Sequence, residues 1–258
     1  MKAVILAGGF GTRIAEESDS RPKPMVAIGD SPILLHIMAL YAKHEVVEFI
    51  VCLGYKGDIA LEYFSDRFEK ISDNPLCLEP HAVYRLPSPK GELTVTLVDT
   101  GLNTMTGGRL KRVASLVRDE TFCLTYGDGL SDLDISQEIV FHRGHDKLAT
   151  VAAVRPPGRF AVLDIAENTQ VKSFKEKPQN EVGWVNGGFF ILEPEVLNRL
   201  DSDSTVWEQE PLETLAAQGQ LMAFTHEGFW QPMDTLRDKR TLDQLWAQGR
   251  APWEIGRA

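Results

Sequence analysis

Lys2 to Ala7 (KAVILA) is a short aliphatic run, rich in β-branched residues, that stops at Gly8-Gly9. Six residues are too few for an ordinary helix, and apolar character on both faces suits a strand covered on both sides, as in a parallel sheet with helices above and below. The same unit recurs. Glu48 to Gly54 (EFIVCLG), Leu93 to Asp99 (LTVTLVD) and Thr121 to Gly127 (TFCLTYG) read as strands that run into glycine or a polar loop. Helical patterns follow them at Asp58 to Phe68, Arg109 to Val117 and Ile135 to His145. Alternation of this kind points to a doubly wound α/β sheet. Between the first two strands, Ser31-Pro32 reads as the N-cap and first residue of a helix whose apolar face is Ile33, Leu34, Ile37, Met38 and Tyr41.

Beyond Leu148 to Val154 the pattern turns β-rich, at Ala161 to Ile165, Val171 to Glu176 and Trp184 to Leu192, before helices at Glu208 to Ala217 and Thr235 to Ala247 flank Met222 to Gln231. The expected fold is a Rossmann-like, doubly wound mixed sheet with β-rich insertions in its later half. Ser72 to Gly91 carries Pro75, Pro80, Pro87 and Pro89 and reads as an irregular excursion. A length of 258 residues, 43% of them hydrophobic, can bury the core of one large domain, and no repeat or linker divides it.

Charge and cysteine content narrow the function. A net charge of -10 argues against nucleic acid and anionic membrane as partners, so any bound polyanion must be held by local cations. Cys52, Cys77 and Cys123 form no close pair and read as buried thiols in a reducing cytosol. The apolar run Ala3 to Ala7 is too short for a signal core or a membrane span, so a soluble, cytoplasmic protein is expected.

Local cations are present in the loop after the first strand. Gly8-Gly9-Phe10-Gly11-Thr12-Arg13 is followed by Pro22-Lys23-Pro24. Glycines let backbone N–H groups approach phosphate oxygens, and Arg13 and Lys23 supply positive charge. A dinucleotide fingerprint counted from Gly9 would need a third glycine where Ile14 stands, and a Walker A loop would need Ser or Thr after Lys23. A bare glycine turn accounts for the glycines and leaves the cations unexplained.

Leu6 to Arg13 (LAGGFGTR) with Pro22 to Met25 (PKPM) resembles the signature of the sugar-nucleotide nucleotidyltransferases. Further matching blocks are Gly127-Asp128-Gly129, Glu176-Lys177-Pro178, Asn186-Gly187-Gly188-Phe189 and Trp230 to Thr235 (WQPMDT). Met105 to Val113, Pro156 to Phe160 and Asp234 to Lys239 look like blocks of the members that join CTP to glucose 1-phosphate. The resemblance implies one nucleotidyltransferase domain over 1–258, with 1–147 mainly nucleotide-binding and 148–258 mainly sugar-binding and oligomer-forming. It also implies a homo-oligomer, expected to be hexameric, upstream of deoxysugars in cell-surface polysaccharide such as O-antigen. Larger relatives carry trailing hexapeptide repeats that are not seen here, so no second acyltransferase activity is expected.

The reaction so implied is attack of a sugar phosphate on the α-phosphorus of a nucleoside triphosphate with loss of pyrophosphate. The nucleophile is already anionic, so the need is for charge neutralisation and in-line positioning by Mg²⁺, Arg and Lys. Mg²⁺ takes one or two carboxylates alongside phosphate oxygens and water. Asp128, at a strand end, and Asp234, before the last helix, are the candidates, and by resemblance the metal ligands. By the same resemblance Leu6, Ala7, Gly8, Gly9, Phe10, Gly11, Thr12 and Arg13 hold the nucleotide, Arg13 faces the leaving pyrophosphate, and Lys23 bridges the phosphates in the transition state. Thr104 and Arg109 form a second wall of the base pocket, with Arg109 reading the base carbonyl. Glu176, Lys177, Asn186, Gly187 and Gly188 bind the sugar phosphate.

Alternatives from the residues alone stay open: UTP or dTTP as donor, another hexose 1-phosphate, a non-catalytic nucleotide-sugar-binding regulator, or a dehydrogenase. His142 and His145 could share a helix face but have no third ligand nearby in sequence, and read as a surface pair. Trp184, Trp207, Trp230, Trp246 and Trp253 read as core or subunit contacts.

Overall fold

The computed structural model describes residues 1–9, 21–72, 81–89, 91–156, 162–165, 171–175 and 183–254. Strand β1 (Lys2–Leu6) is followed by the two-residue strands β2 (Ala27–Ile28) and β3 (Ser31–Pro32), helix α1 (Ile33–Ala42), β4 (Glu48–Leu53) and α2 (Gly57–Arg67). Next come β5 (Glu69–Ser72), β6 (His81–Ser88), β7 (Gly91–Asp99), α3 (Thr106–Arg112), β8 (Phe122–Tyr126), β9 (Gly129–Ser131) and α4 (Ile135–Arg143). The later half adds β10 (Ala149–Val154), β11 (Val162–Ile165), β12 (Val171–Lys175), β13 (Val185–Leu192), α5 (Glu210–Ala217), β14 (Leu221–His226), β15 (Trp230–Pro232) and α6 (Leu236–Ala247).

Nine strands form one sheet in the order β14, β10, β13, β8, β1, β4, β7, β6, β5. Pairing is parallel across β8, β1, β4 and β7. Antiparallel β13 joins that block to β10 and β14, and antiparallel β6 and β5 complete the other edge. This is the expected mixed α/β sheet, and strands of the later half extend it. From β1 the chain moves outward through β4 and β7, then returns to place β8 on the opposite side of β1. Strand order therefore reverses beside the carboxyl end of β1, where open α/β sheets open a crevice for ligands.

The strand period sorts β1 between two cores. Ala3 and Ile5 pack with α1, while Val4 and Leu6 pack with Leu110, Val113 and Trp207 on the other face. Each of these is fully or nearly fully buried. Truncating such an aliphatic core side chain to alanine typically costs about 2–5 kcal/mol. Helix α1 is buried almost all round because it lies between the sheet and the segment carrying Trp253. Its polar member, His36, is satisfied: Nε2 lies 3.0 Å from the Ile28 carbonyl, and Nδ1 accepts the Trp253 indole N–H at 3.3 Å.

Several local expectations change. Ser31 does not cap α1: Ser31 and Pro32 pair with β2, Pro32 holds the cap position, and the Ile33 N–H donates to Val26 O at 3.0 Å. The proline-bearing stretch forms edge strands where it is described, with Pro87 past the last residue of β6 that pairs with β5; a sheet edge tolerates the missing N–H there. Helix α3 starts at Thr106 and takes in Gly107 and Gly108. A Cβ on Gly108 would lie 2.4 Å from the Asp203 carbonyl oxygen, so the helix can dock on that loop only with glycine.

Candidate functional site

The cleft at the switch point encloses about 680 Å³ and is lined from five directions. Leu6 to Gly9 come from the end of β1, Lys23 and Pro24 from a 3-10 turn, Leu102 to Thr106 with Arg109 from the start of α3, Thr125 to Gly129 from the end of β8, and Asn186 to Phe189 from β13. Val206, Glu208, Trp230, Pro232 and Asp234 complete the lining.

At one end of the cleft three predicted residues meet. Lys23 Nζ donates to Asp128 Oδ2 at 2.6 Å and to Asp234 Oδ1 at 2.8 Å, although the two aspartates are far from it in sequence. Burial alone would lower the Lys23 ammonium, but Asp128 first and Asp234 after it more than offset that and hold it above an ordinary lysine. Lys23 therefore stays charged at neutral pH. The fold explains the convergence. The Gly127 N–H donates to Leu6 O at 3.0 Å, extending the β1–β8 ladder to the residue before Asp128. Pairing of β15 with β9 and a 2.8 Å bond from Met233 N–H to Asp128 O then bring Asp234 alongside. Asp238 fixes that segment by accepting from Thr235 N–H, Thr235 Oγ1, Asp234 N–H and Gln231 Nε2, and it closes a capping box on α6.

No group of three or more His, Cys, Asp or Glu side chains with metal-binding geometry occurs among the described residues. Asp128 and Asp234 nevertheless aim one oxygen each at a single cationic centre, here the Lys23 ammonium. Two carboxylates are a donor set that suits Mg²⁺ when phosphate and water supply the rest.

Arg109 lines the cleft as expected and also has a structural task. Only 4% exposed, it lines the cleft with its guanidinium turned to main-chain oxygens. Nη1 donates to Leu53 O, Gly101 O and Thr100 Oγ1 at 2.7–2.8 Å, and Nη2 donates to Gly8 O at 2.9 Å. The side chain clamps the ends of β1 and β4 to the loop before α3. Gly8 and Gly54 are glycine for the same reason, since a Cβ on either would sit 2.2 or 2.5 Å from Arg109 Nη1.

Of the sequence-predicted site residues, Leu6, Ala7, Gly8, Gly9, Lys23, Thr104, Arg109, Asp128, Asn186, Gly187, Gly188 and Asp234 share this cleft. Phe10, Gly11, Thr12, Arg13, Glu176 and Lys177 lie outside the described residues. Sequence reasoning missed Tyr126, Glu208 and the cleft-facing role of Trp230, whose indole N–H donates to Gly187 O at 2.8 Å. Tyr126 could have been noticed as the residue just before Gly127-Asp128; nothing in the sequence marks Glu208. Leu102 and Met105 expose apolar side chains on the rim.

His142 is not on the surface. It is buried, with Nδ1 2.8 Å from Thr150 Oγ1 and Nε2 3.0 Å from Glu193 Oε1, and His145 Nε2 shares the same threonine hydroxyl. Trp207 and Trp253 are core residues, whereas Trp184 is exposed with Arg155 over its ring. No helix among the described residues is long and apolar enough to cross a membrane.

A mixed sheet with its cleft at the strand-order reversal, a glycine-bearing floor and a lysine between two carboxylates defines an open-sheet α/β protein with a built polar site. The chain belongs to the nucleotidyl transferase family, whose model matches residues 2–235. It is 55% identical over 255 residues to the glucose-1-phosphate cytidylyltransferase of Salmonella typhimurium strain LT2, covering 98% of this chain and 99% of that protein. It is 40% identical over 256 residues to the probable glucose-1-phosphate cytidylyltransferase of Bacillus subtilis strain 168, covering 99% of this chain and 100% of the other. The fold is also that of the crystal structure of HddC from Yersinia pseudotuberculosis, with a TM-score of 0.68 at 24% identity over 95% of this chain and 99% of that one.

Proposed function

We propose that this chain is a glucose-1-phosphate cytidylyltransferase, converting CTP and glucose 1-phosphate into CDP-glucose and pyrophosphate. The observation that carries a phosphoryl-transfer reading is the meeting of Lys23, Asp128 and Asp234 at one end of the cleft. The choice of CTP and glucose 1-phosphate is supported by the end-to-end similarity to the Salmonella protein of that name. An oxygen of the sugar phosphate attacks the α-phosphorus in line; the bond to the β-phosphate oxygen breaks, and that oxygen leaves with pyrophosphate. No proton need be removed from the nucleophile, so the protein's part is to position and to neutralise.

In this reading Gly8 and Gly9 offer close backbone approach to the nucleotide, with Arg109 holding Gly8 O in place. Lys23 exchanges its carboxylate partners for phosphate oxygens, where its charge counts most as the phosphates crowd together. Asp128 and Asp234 would hold Mg²⁺, which when bound supplies charge neutralisation at the phosphates. Phe10, Gly11, Thr12 and Arg13 extend the nucleotide site, with Arg13 directed at the pyrophosphate. Thr104 walls the base, and Glu176, Lys177, Asn186, Gly187 and Gly188 take the sugar phosphate. The reading carries a cytoplasmic homo-hexamer whose product feeds deoxysugar and cell-surface polysaccharide synthesis; light scattering on the eluting protein tests the subunit number.

Pyrophosphate release measured with each of the four ribonucleoside triphosphates and with dTTP, against several hexose 1-phosphates, tests the activity. CTP with glucose 1-phosphate should give the highest kcat/KM, and a preference for UTP or dTTP would refute the assignment. Bound nicotinamide seen in the absorbance spectrum of the purified protein would point to a dehydrogenase instead.

A further inference from the structure

Two cleft residues outside the scheme above, Tyr126 and Glu208, lie on different walls. Thr106 Oγ1, on α3, donates to Glu208 Oε2 at 2.6 Å and accepts from Trp207 N–H at 2.9 Å. On the other wall Asn186 Nδ2 donates to the Tyr126 hydroxyl at 3.3 Å, and Asn186 Oδ1 accepts from Gly188 N–H at 2.8 Å, which fixes how the amide is turned. Tyr126 and Glu208 both line the cleft, with Thr106 donating to Glu208 from the α3 side.

We propose that Tyr126 is a positioning residue for the sugar-phosphate substrate, acting through Asn186. The inference rests on the functional reading above. An amide carries two N–H groups, and holding one on Tyr126 fixes the plane in which the other points. The ring has a separate packing task. Gly188, at φ +80, lies so close that a Cβ there would be 2.5 Å from Tyr126 Cδ2, and the ring meets Phe190 at 6.1 Å between centroids. The hydroxyl can therefore be removed while the packing stays.

Tyr126→Phe should raise KM for the hexose 1-phosphate about 5- to 20-fold, the scale of one lost hydrogen bond in a preorganised site. KM for the triphosphate should stay within about twofold and kcat within about threefold, a split that general loosening of the fold does not produce. In an Asn186→Ala background, where the group through which the hydroxyl acts is already gone, Tyr126→Phe should raise KM for the hexose 1-phosphate no further. Unchanged KM for the hexose phosphate in Tyr126→Phe, or an equal rise in both KM values, overturns the proposal. Wild type is assayed first. If it turns over a pair other than CTP and glucose 1-phosphate, the functional reading fails and the Tyr126 comparison is made with that pair. A wild type inactive with every pair overturns both.

Discussion

Glu138, on α4, is fully buried, and neither of its carboxylate oxygens has a hydrogen-bond partner among the described residues. Burial alone pushes its carboxyl from 4.5 up to about 8. The folded state therefore holds a proton that the unfolded chain releases near its ordinary value. Between those limits the native form binds more protons, and stability falls as pH rises, by about 1.4 kcal/mol per pH unit. Measured from the unfolded value, the burden reaches about 3 kcal/mol by pH 7. Tyr41 and Cys123 feel the same carboxylate and are themselves raised by burial, so both stay neutral across this window and add no slope.

Glu138→Gln keeps the shape and removes the titration. Its amide leaves buried polar groups unpaired as well, a pH-independent cost of about 1–3 kcal/mol, so the sign of the offset at any single pH is not diagnostic. The slope is. Urea unfolding of wild type and variant at intervals from pH 5 to pH 8 should show the variant gaining on wild type by about 2–3 kcal/mol between pH 5 and pH 7. The dependence on urea concentration should be the same for both proteins. A difference that stays flat across that range would refute the reasoning, because it would mean that Glu138 does not titrate there in the folded protein.

Four further outcomes are expected. Lys23→Ala should lower kcat by about 10²- to 10³-fold with a much smaller change in KM for either substrate, as steady-state kinetics would show. Gly8→Ala would place a Cβ 2.2 Å from Arg109 Nη1, so the clamp must shift; a loss of about 2–4 kcal/mol in chemical denaturation is expected, together with weaker triphosphate binding by calorimetry. Asp238→Ala removes the acceptor that fixes Asp234 and caps α6, and should cost about 1–2 kcal/mol in stability while raising the Mg²⁺ concentration needed for half-maximal rate. Burial pushes the Cys52 thiol up to about 12, with Arg109 opposing it only in part, so mass spectrometry after alkylation of the native protein at pH 8 should find Cys52 unmodified until denaturant is added.

The strand pattern was legible because burial on both faces of a parallel strand leaves an uninterrupted apolar run, and because glycine and polar loops punctuate the units. KAVILA became β1, EFIVCLG contains β4, and both lie in the parallel centre of the sheet. Helix starts were less legible. Ser31-Pro32 has the composition of a cap, yet its backbone was claimed by pairing with β2. Gly107 and Gly108 read as loop because glycine disfavours helices, and tertiary contact with Asp203 and Thr205 overrode that preference.

For the site, the sequence determined the chemical inventory: a glycine loop, Lys23, and aspartates placed after a strand and before a helix. Those signals are local, since strand ends and helix starts are set by neighbours along the chain. Which groups touch is a long-range property, and only the tertiary structure decided it. The joining of β15 to β9 put Asp234 beside Asp128, and with them Lys23 from more than a hundred residues away. The same packing made Arg109 a clamp on main-chain oxygens and drew Glu208 and Tyr126 into the cleft. A residue's type states which bonds it can make. The partners that compete for those bonds are fixed when β1, β8 and β13 come together, because a buried donor or acceptor must be satisfied by whatever the fold brings within reach.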